Sequence, residues 1–285
     1  MKLSELSIRF CIYAGIFLLN AILLFDDNVS QDFANYSRFW RSGSWTWRPV
    51  ELVFQNLGVI FGQFDFRYFF VILNGVALAI ICKRYSIFLL LLILTSPFTI
   101  LGFGNTLLSF SAGLVWLAIF LGQGLRAAVL ATMVHKGGVF LFLFDRPVLM
   151  IVAGLVVYLL PDHVPFMGNL HMFEEPWYQV SIKYVLSILP LVAIVFLVGG
   201  AGWVRQCRDI GLVAIFVAII FLVSTKLADR IVYLCFFWGL ARSQMLLASA
   251  KTHIAWWPLY GFIPLNLFLT YVSGARMHLP FGLAG

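Results

Sequence analysis

From Tyr85 to Leu125 not one side chain carries a charge, and that run constrains the chain more than any motif does. An ordinary soluble domain is about a quarter charged. Here Asp, Glu, Lys and Arg together make up 11% of the residues and apolar types 62%. Such a surface is wetted by lipid. Within lipid every backbone N–H and C=O must be paired inside the protein, which leaves α-helices or a closed barrel. A barrel would alternate apolar and polar residues over segments of about 10 residues, and no such alternation occurs. The sequence therefore reads as an all-α, polytopic integral membrane protein.

A span takes about 20 apolar residues, because a helix rises 1.5 Å per residue through about 30 Å of hydrocarbon. Runs of that kind cover Phe10–Phe25, Tyr68–Cys82, Tyr184–Val204, Ile210–Thr225 and Ile254–Ala275. The run Tyr85–Leu125 is too long for one span, and "SPFTILGFGNT" (Ser96–Thr106) offers turn residues that divide it into two. Ala127–Phe144 reads as a span carrying His135 and Lys136, and Ile231–Ala248 as one carrying Arg242. Val148–Leu160 is short for a crossing. The sum is about nine or ten membrane helices in a single transmembrane domain, 1–285, with external loops at about 26–67 and 161–183.

Orientation follows from basic residues in short loops. Lys2 with Arg9, Lys83 with Arg84, Arg126, and Arg205 with Arg208 mark the cytoplasmic side. Alternation between Arg126 and Arg205 then requires that Val148–Leu160 does not fully cross. The first segment resembles a signal peptide but lacks a small-residue cleavage site and runs into Asp26–Asp27, so it is expected to be a retained span. The net charge of +7 matches this bias and an attraction to anionic lipid headgroups. No basic helix or extramembrane domain is present to bind nucleic acid. Cys11, Cys82, Cys207 and Cys235 are scattered without CxxC spacing, which indicates neither a zinc site nor a disulfide framework.

Against this background the segment "QDFANYSRFWRSGSWTWRPVELVFQNLG" (Gln31–Gly58) is unusually polar. Its tryptophans and tyrosine suit a membrane interface, where arginine also snorkels. The interleaved carboxylates and guanidinium groups suit a second purpose. Arginine forks bind phosphate in a bidentate way, and indole faces stack on sugar rings. Within Pro49–Gly62 apolar residues recur near helical period, which predicts a short amphipathic helix with Pro49 in its first turn.

Further candidates lie elsewhere. His135 is an ionisable group inside a span, which is costly and by default a candidate for function; a neutral histidine bonded to a neighbouring helix is the plainer alternative. Asp229 and Arg230 sit at a helix boundary, with Tyr233 on the face of Arg230. Arg242, about three turns deeper, is expected to pair with a carbonyl or carboxylate as structural support. Asp26–Asp27 read as helix-end solvation or an acidic catalytic pair. His163, His171, Glu174 and Glu175 do not form a standard metal-ligand set.

Four elements, in order, resemble the EpsG-type and Wzy-type polysaccharide polymerases. They are "DFANY" (Asp32, Phe33, Tyr36) after the first span, "RPVELVFQNLG" (Arg48, Pro49, Glu51), "ATMVHKGGVF" (His135, Gly137, Gly138) and "RIVY" (Arg230, Tyr233). Arg48 stands directly before the proline, where the family often has a glutamate, and Glu51 follows two residues after it. The resemblance implies a glycosyltransferase of the bacterial cell inner membrane, joining polyprenyl-pyrophosphate-linked glycan donor and acceptor at its outer face. Its catalytic residues would be Asp32, Glu51 and His135, and its substrate-binding residues Tyr36, Arg48, Arg230 and Tyr233. It implies no cofactor and no metal, with a chain-length regulator and a flippase as partners in the membrane. Competing readings are a multi-spanning glycosyltransferase that uses a polyprenyl-phosphate sugar and Asp26–Asp27, a transporter or flippase of lipid-linked glycans without chemistry, and an assembly scaffold.

Overall fold

The computed structural model describes residues 3–25, 32–41, 52–105, 107–121, 123–160, 192–194, 203–223, 225–249 and 260–268. Among the described residues every regular element is a helix and none is a strand. Four helices among the described residues are long and apolar enough to cross a membrane: Leu3–Phe25, Phe66–Arg84, Val204–Val223 and Ile231–Ala248. Their outward faces are apolar too. On the second of them Tyr68, Ile72 and Val76 form an exposed stripe at helical spacing, a surface that water would penalise and lipid accepts. The protein is an all-α membrane protein. Most of Tyr184–Val204 and Ile254–Ala275 lies outside the described residues.

The chain divides into two compact units, Met1–Gly138 with Trp256–Gly285, and Val139–Ala255. The first contains α1 (Leu3–Phe25), α2 (Asp32–Arg41), α3 (Leu52–Phe61), α4 (Phe66–Arg84), α5 (Ile87–Thr95), α6 (Pro97–Asn105), α7 (Leu107–Phe120) and α8 (Gly124–Val134). Its frame is an antiparallel pair, α1 and α4. At one end Arg9 Nη1 donates to the carbonyls of Cys82 and Tyr85, both at 2.6 Å, while Glu5 holds the other edge of the guanidinium. At the opposite end the Phe25 ring meets Tyr68 at 5.1 Å and lies under Arg67. Between the two ends Asn74 Nδ2 donates to Asn20 Oδ1 at 3.1 Å, with both side chains wholly buried. That is a polar tie between two helices that lipid alone would not hold together.

The same basic end gathers α7. Arg84 Nη1 donates to Ala118 O and Tyr85 Oη to Leu117 O, each at 3.0 Å. The last carbonyls of a helix have no partner within it and carry partial negative charge, so these arginines cap α4 and α7. The expected cytoplasmic residues thus have a structural task as well as a topological one. At the opposite end Asp65 caps α4, accepting from the Arg67 N–H and side chain. Burial pushes its carboxyl upward, but the Arg67 bonds and the charges of Arg67 and Arg41 outweigh that and leave it below its ordinary value.

Two predicted features need correction. The stretch Ser96–Thr106 was expected to be a turn between two spans, yet Pro97–Asn105 is helical, with a break at Ser96 before it. The reason is local. Pro97 starts a helix well because its missing N–H has no partner to lose there, and Ser96 Oγ caps it by accepting from the Phe98 N–H. Ala127–Phe144 was expected to be one span with His135 near its middle. It is two helices, α8 and a seven-residue α9 (Gly138–Phe144), parted at His135. The paired glycines after Lys136 release the backbone from the helix.

The second unit contains most of α9, with α10 (Pro147–Leu159), α11 (Trp203–Val223) and α12 (Thr225–Ser249). Helix α12 is its centre, with Ile231 to Trp238 buried without interruption. Helix α10 packs on α11 where Gly154 leaves room for the Phe216 ring. Its 13 residues reach only about 20 Å, short of the hydrocarbon thickness. Arg242 finds the carboxylate expected for it: Nη2 donates to Asp145 Oδ1 at 3.1 Å. Burial raises the Asp145 carboxyl above its ordinary value against the pull of Arg242 and Arg146.

Candidate functional site

The polar segment after α1 was expected to be an external loop with one amphipathic helix, and it contains two helices. The predicted helix is α3, within the expected Pro49–Gly62. The other, α2, occupies Asp32–Arg41, which was read as loop. What binds them is Trp40. Its side chain is 2% exposed, and its indole N–H donates to Phe61 O, the last residue of α3, at 3.2 Å and to Phe64 O just beyond at 2.9 Å. A Cβ on Gly58 would stand 2.6 Å from the Trp40 carbonyl, so glycine is what lets the two backbones approach. Trp40 is therefore a packing and capping residue, whereas its composition suggested an interfacial float.

The residues singled out in the sequence fall in both units. Asp32 opens α2, and its side chain lies outside the described residues. Tyr36 is half-buried one turn on, with its ring 6.1 Å from Phe66 and 6.5 Å from Phe33. Arg48 and Glu51 lie outside the described residues, as do Asp26, Asp27, His163, His171, Glu174 and Glu175. In the second unit Arg230 lies in the second turn of α12, with its side chain outside the described residues, and Tyr233 is 3% exposed. The helix thus begins before Arg230, which was expected to open it. Arg38 and Arg41, two of the guanidinium groups of the polar segment that the expected site did not include, are exposed on the last turn of α2.

His135 is the described member with the most definite chemistry. Its backbone is extended, φ −153° and ψ 138°, and its N–H still closes the last turn of α8 on Ala131 O. The ring is 8% exposed. Its Nδ1 lies 3.0 Å from the Gly137 N–H, which donates to it, and 3.2 Å from Ser109 Oγ on α7. Gly138 then passes directly beside the preceding helix. A Cβ there would fall 2.4 Å from Thr132 N and 2.5 Å from Ala131 C.

Depth follows from helix geometry. Ser109 precedes Ala118, whose carbonyl Arg84 caps, by nine residues of α7, which is about 13 Å of rise. The imidazole therefore sits well inside the bundle. Helix α3 packs on α2 and on α8, so the Asp32 and Tyr36 segment and the helix that ends at His135 are linked through α3. Among the described residues no group of three His, Cys, Asp or Glu could hold a metal ion, and all four cysteines are free thiols.

Ser109 was not legible in the sequence, where "SFSAG" carries no motif. The break at His135 was legible in principle from "HKGG". Compared with protein-family models, curated proteins and solved structures, the chain matches none.

Proposed function

We propose that this chain is a membrane glycosyl polymerase, acting at the outer face of a bacterial inner membrane. It joins polyprenyl-pyrophosphate-linked oligosaccharide units. The acceptor hydroxyl loses its proton to a carboxylate, its oxygen bonds to the anomeric carbon of the donor, and the bond from that carbon to pyrophosphate breaks. Asp32 or Glu51 is the base. Arg48 meets the departing pyrophosphate and Tyr36 lines the sugar path; in the second unit Arg230 and Tyr233 are the substrate-binding candidates. Stabilising charge that develops on a leaving group is where fixed donors and cations contribute most.

One observation carries the reading. Helices α2 and α3 join α4 at the end of the first unit opposite the capping arginines, Arg9 and Arg84, and α3 packs on the helix that ends at His135. With those arginines cytoplasmic by the positive-inside rule, α2, which carries Asp32, Tyr36 and the exposed Arg38 and Arg41, lies at the outer end of the first unit, and α3 joins it to the helix that ends at the buried His135. About nine or ten spans in the whole chain fit this orientation.

The lipid-linked glycan pool of a deletion strain tests it. Accumulation of single repeat units, reversed by the wild-type protein, is the expected result. An unchanged pool removes the polymerase reading. Arginine 230 gives a finer test, since lysine anchors a helix end as well as arginine does but lacks its planar fork. Arg230→Lys should insert normally and lose polymer; wild-type polymer would reduce Arg230 to an anchor.

A further inference from the structure

We infer that His135 acts as a neutral hydrogen-bond donor through Nε2 and not as the base, and that Ser109 is the residue that positions it. The contact that decides this is the one from the backbone. The Gly137 N–H can only donate, and it points at His135 Nδ1 from 3.0 Å. A proton on Nδ1 would set two N–H groups against each other, so Nδ1 is bare and the ring proton is on Nε2. Ser109 Oγ, at 3.2 Å from the same nitrogen, then donates its hydroxyl proton there. A fully protonated imidazolium is disfavoured by the same contacts, because it would turn both donors away in a site where the ring is 8% exposed.

A neutral imidazole of this tautomer has no lone pair left on its second nitrogen. It cannot accept the acceptor hydroxyl's proton, but it can donate to an oxygen that gains negative charge, a role open to neutral histidine in other enzymes. The ligand chemistry it suits is a phosphate or pyrophosphate oxygen of the lipid carrier. This assignment of role rests on the polymerase reading; the tautomer rests on the geometry alone. It also narrows the base to the carboxylates Asp32 and Glu51.

The test uses the full-length protein, labelled with 15N-histidine, in nanodiscs of mixed zwitterionic and anionic lipid. There are 5 histidines, and loss of one signal set in His135→Gln assigns His135. The expected spectrum at neutral pH has a protonated Nε2 and a bare Nδ1. A protonated Nδ1 overturns the inference. Ser109→Ala should let the second tautomer appear and lower polymer output about tenfold, which is the worth of one hydrogen bond. An unchanged His135 spectrum, or undiminished polymer, in Ser109→Ala removes Ser109 as a positioning residue. The expected tautomer in a protein whose deletion leaves the glycan pool unchanged would keep the tautomer and sink the polymerase reading, so the two failures are separable.

Discussion

The first unit breaks a buried helical path at Ser96 and again at His135, and the two breaks are closed by different chemistry. At Ser96 the described hydrogen bonds are between neutral groups close in sequence. Ser96 Oγ accepts from the Phe98 N–H, Thr99 Oγ1 donates to Ile93 O, and Thr95 Oγ1 donates to Leu91 O. Nothing outside Leu91 to Thr99 is needed for these bonds. At His135 the cap is an imidazole nitrogen, the helix restarts on two glycines, and a hydroxyl from another helix joins the cap. A serine closes the first break, so closing a break does not require histidine. An ionisable ring inside a membrane bundle is the costlier solution, and what it offers beyond serine is a second nitrogen. The comparison teaches which break is scaffold and which is a candidate for chemistry.

The largest expected effect is steric and sharpens the contrast between the two turns. A methyl group on Gly138 meets backbone atoms of Ala131 and Thr132, which cannot step aside without unwinding α8. One on Gly102, in the helix after the other break, meets the Phe110 ring instead, and a ring can swing. Both overpack a close-packed interior, at a cost of about 1–3 kcal/mol each. Gly138→Ala should fall at the top of that range and Gly102→Ala below it. The measurement is the temperature at which purified protein loses monodispersity in detergent. Equal shifts, or the reverse order, would mean that the α8 break is no tighter than the other.

The next effect separates capping from chemistry. His135→Ser places at the second break the residue type that closes the first. If capping is all that position 135 does, the variant keeps both fold and activity. If Nε2 donates to a developing charge, the variant folds within about 1 kcal/mol of wild type, the usual scale of a cap. Polymer should then fall by about a hundredfold or more, the scale of losing one oxyanion donor. Polymer length on a gel and protein yield in the membrane fraction read the two properties independently. Full polymer from His135→Ser would make the two breaks equivalent and end the argument for chemistry at His135.

Which parts of this were legible in the sequence follows from the range of the interactions. The membrane class was legible because it depends on composition and run length; α4 and the apolar part of α12 were found close to their ends, whereas α1 begins at Leu3, before the expected Phe10. Helix α3 was legible because its apolar positions repeat at helical period. Helix α2 was not. Its charges and its tryptophan resemble an interfacial loop, and it is the contact of Trp40 with the end of α3 that ties it down. The breaks were half legible. Pro97 announced a discontinuity but was read as part of a longer turn, and Gly137–Gly138 were absorbed into a hydrophobic run. Asp145 with Arg242, and Ser109 with His135, are separated by 97 and 26 residues. No periodicity encodes such pairings. Of the candidate site, the residue types were visible and the partners that set their states were not.

The smallest expected effect lies at the Ser96 break and asks whether it is scaffold alone. Ser96→Ala removes the hydroxyl that accepts from the Phe98 N–H, in a site where residue 96 is wholly buried. An N-cap removal of this kind costs about 1 kcal/mol, somewhat more where water cannot substitute. Thr99→Val removes only a donor to Ile93 O, a carbonyl that the Ser96 N–H also approaches, at 3.4 Å, so it should cost less than Ser96→Ala. Because the described hydrogen bonds at this break join neutral groups within one short stretch, neither change should alter polymer length or the glycan pool once protein amount is matched. The decisive quantity is polymer per folded molecule, compared with His135→Ser. A specific loss of polymer in Ser96→Ala, with protein amount unchanged, would show that the first break also serves the reaction and would collapse the distinction between the two.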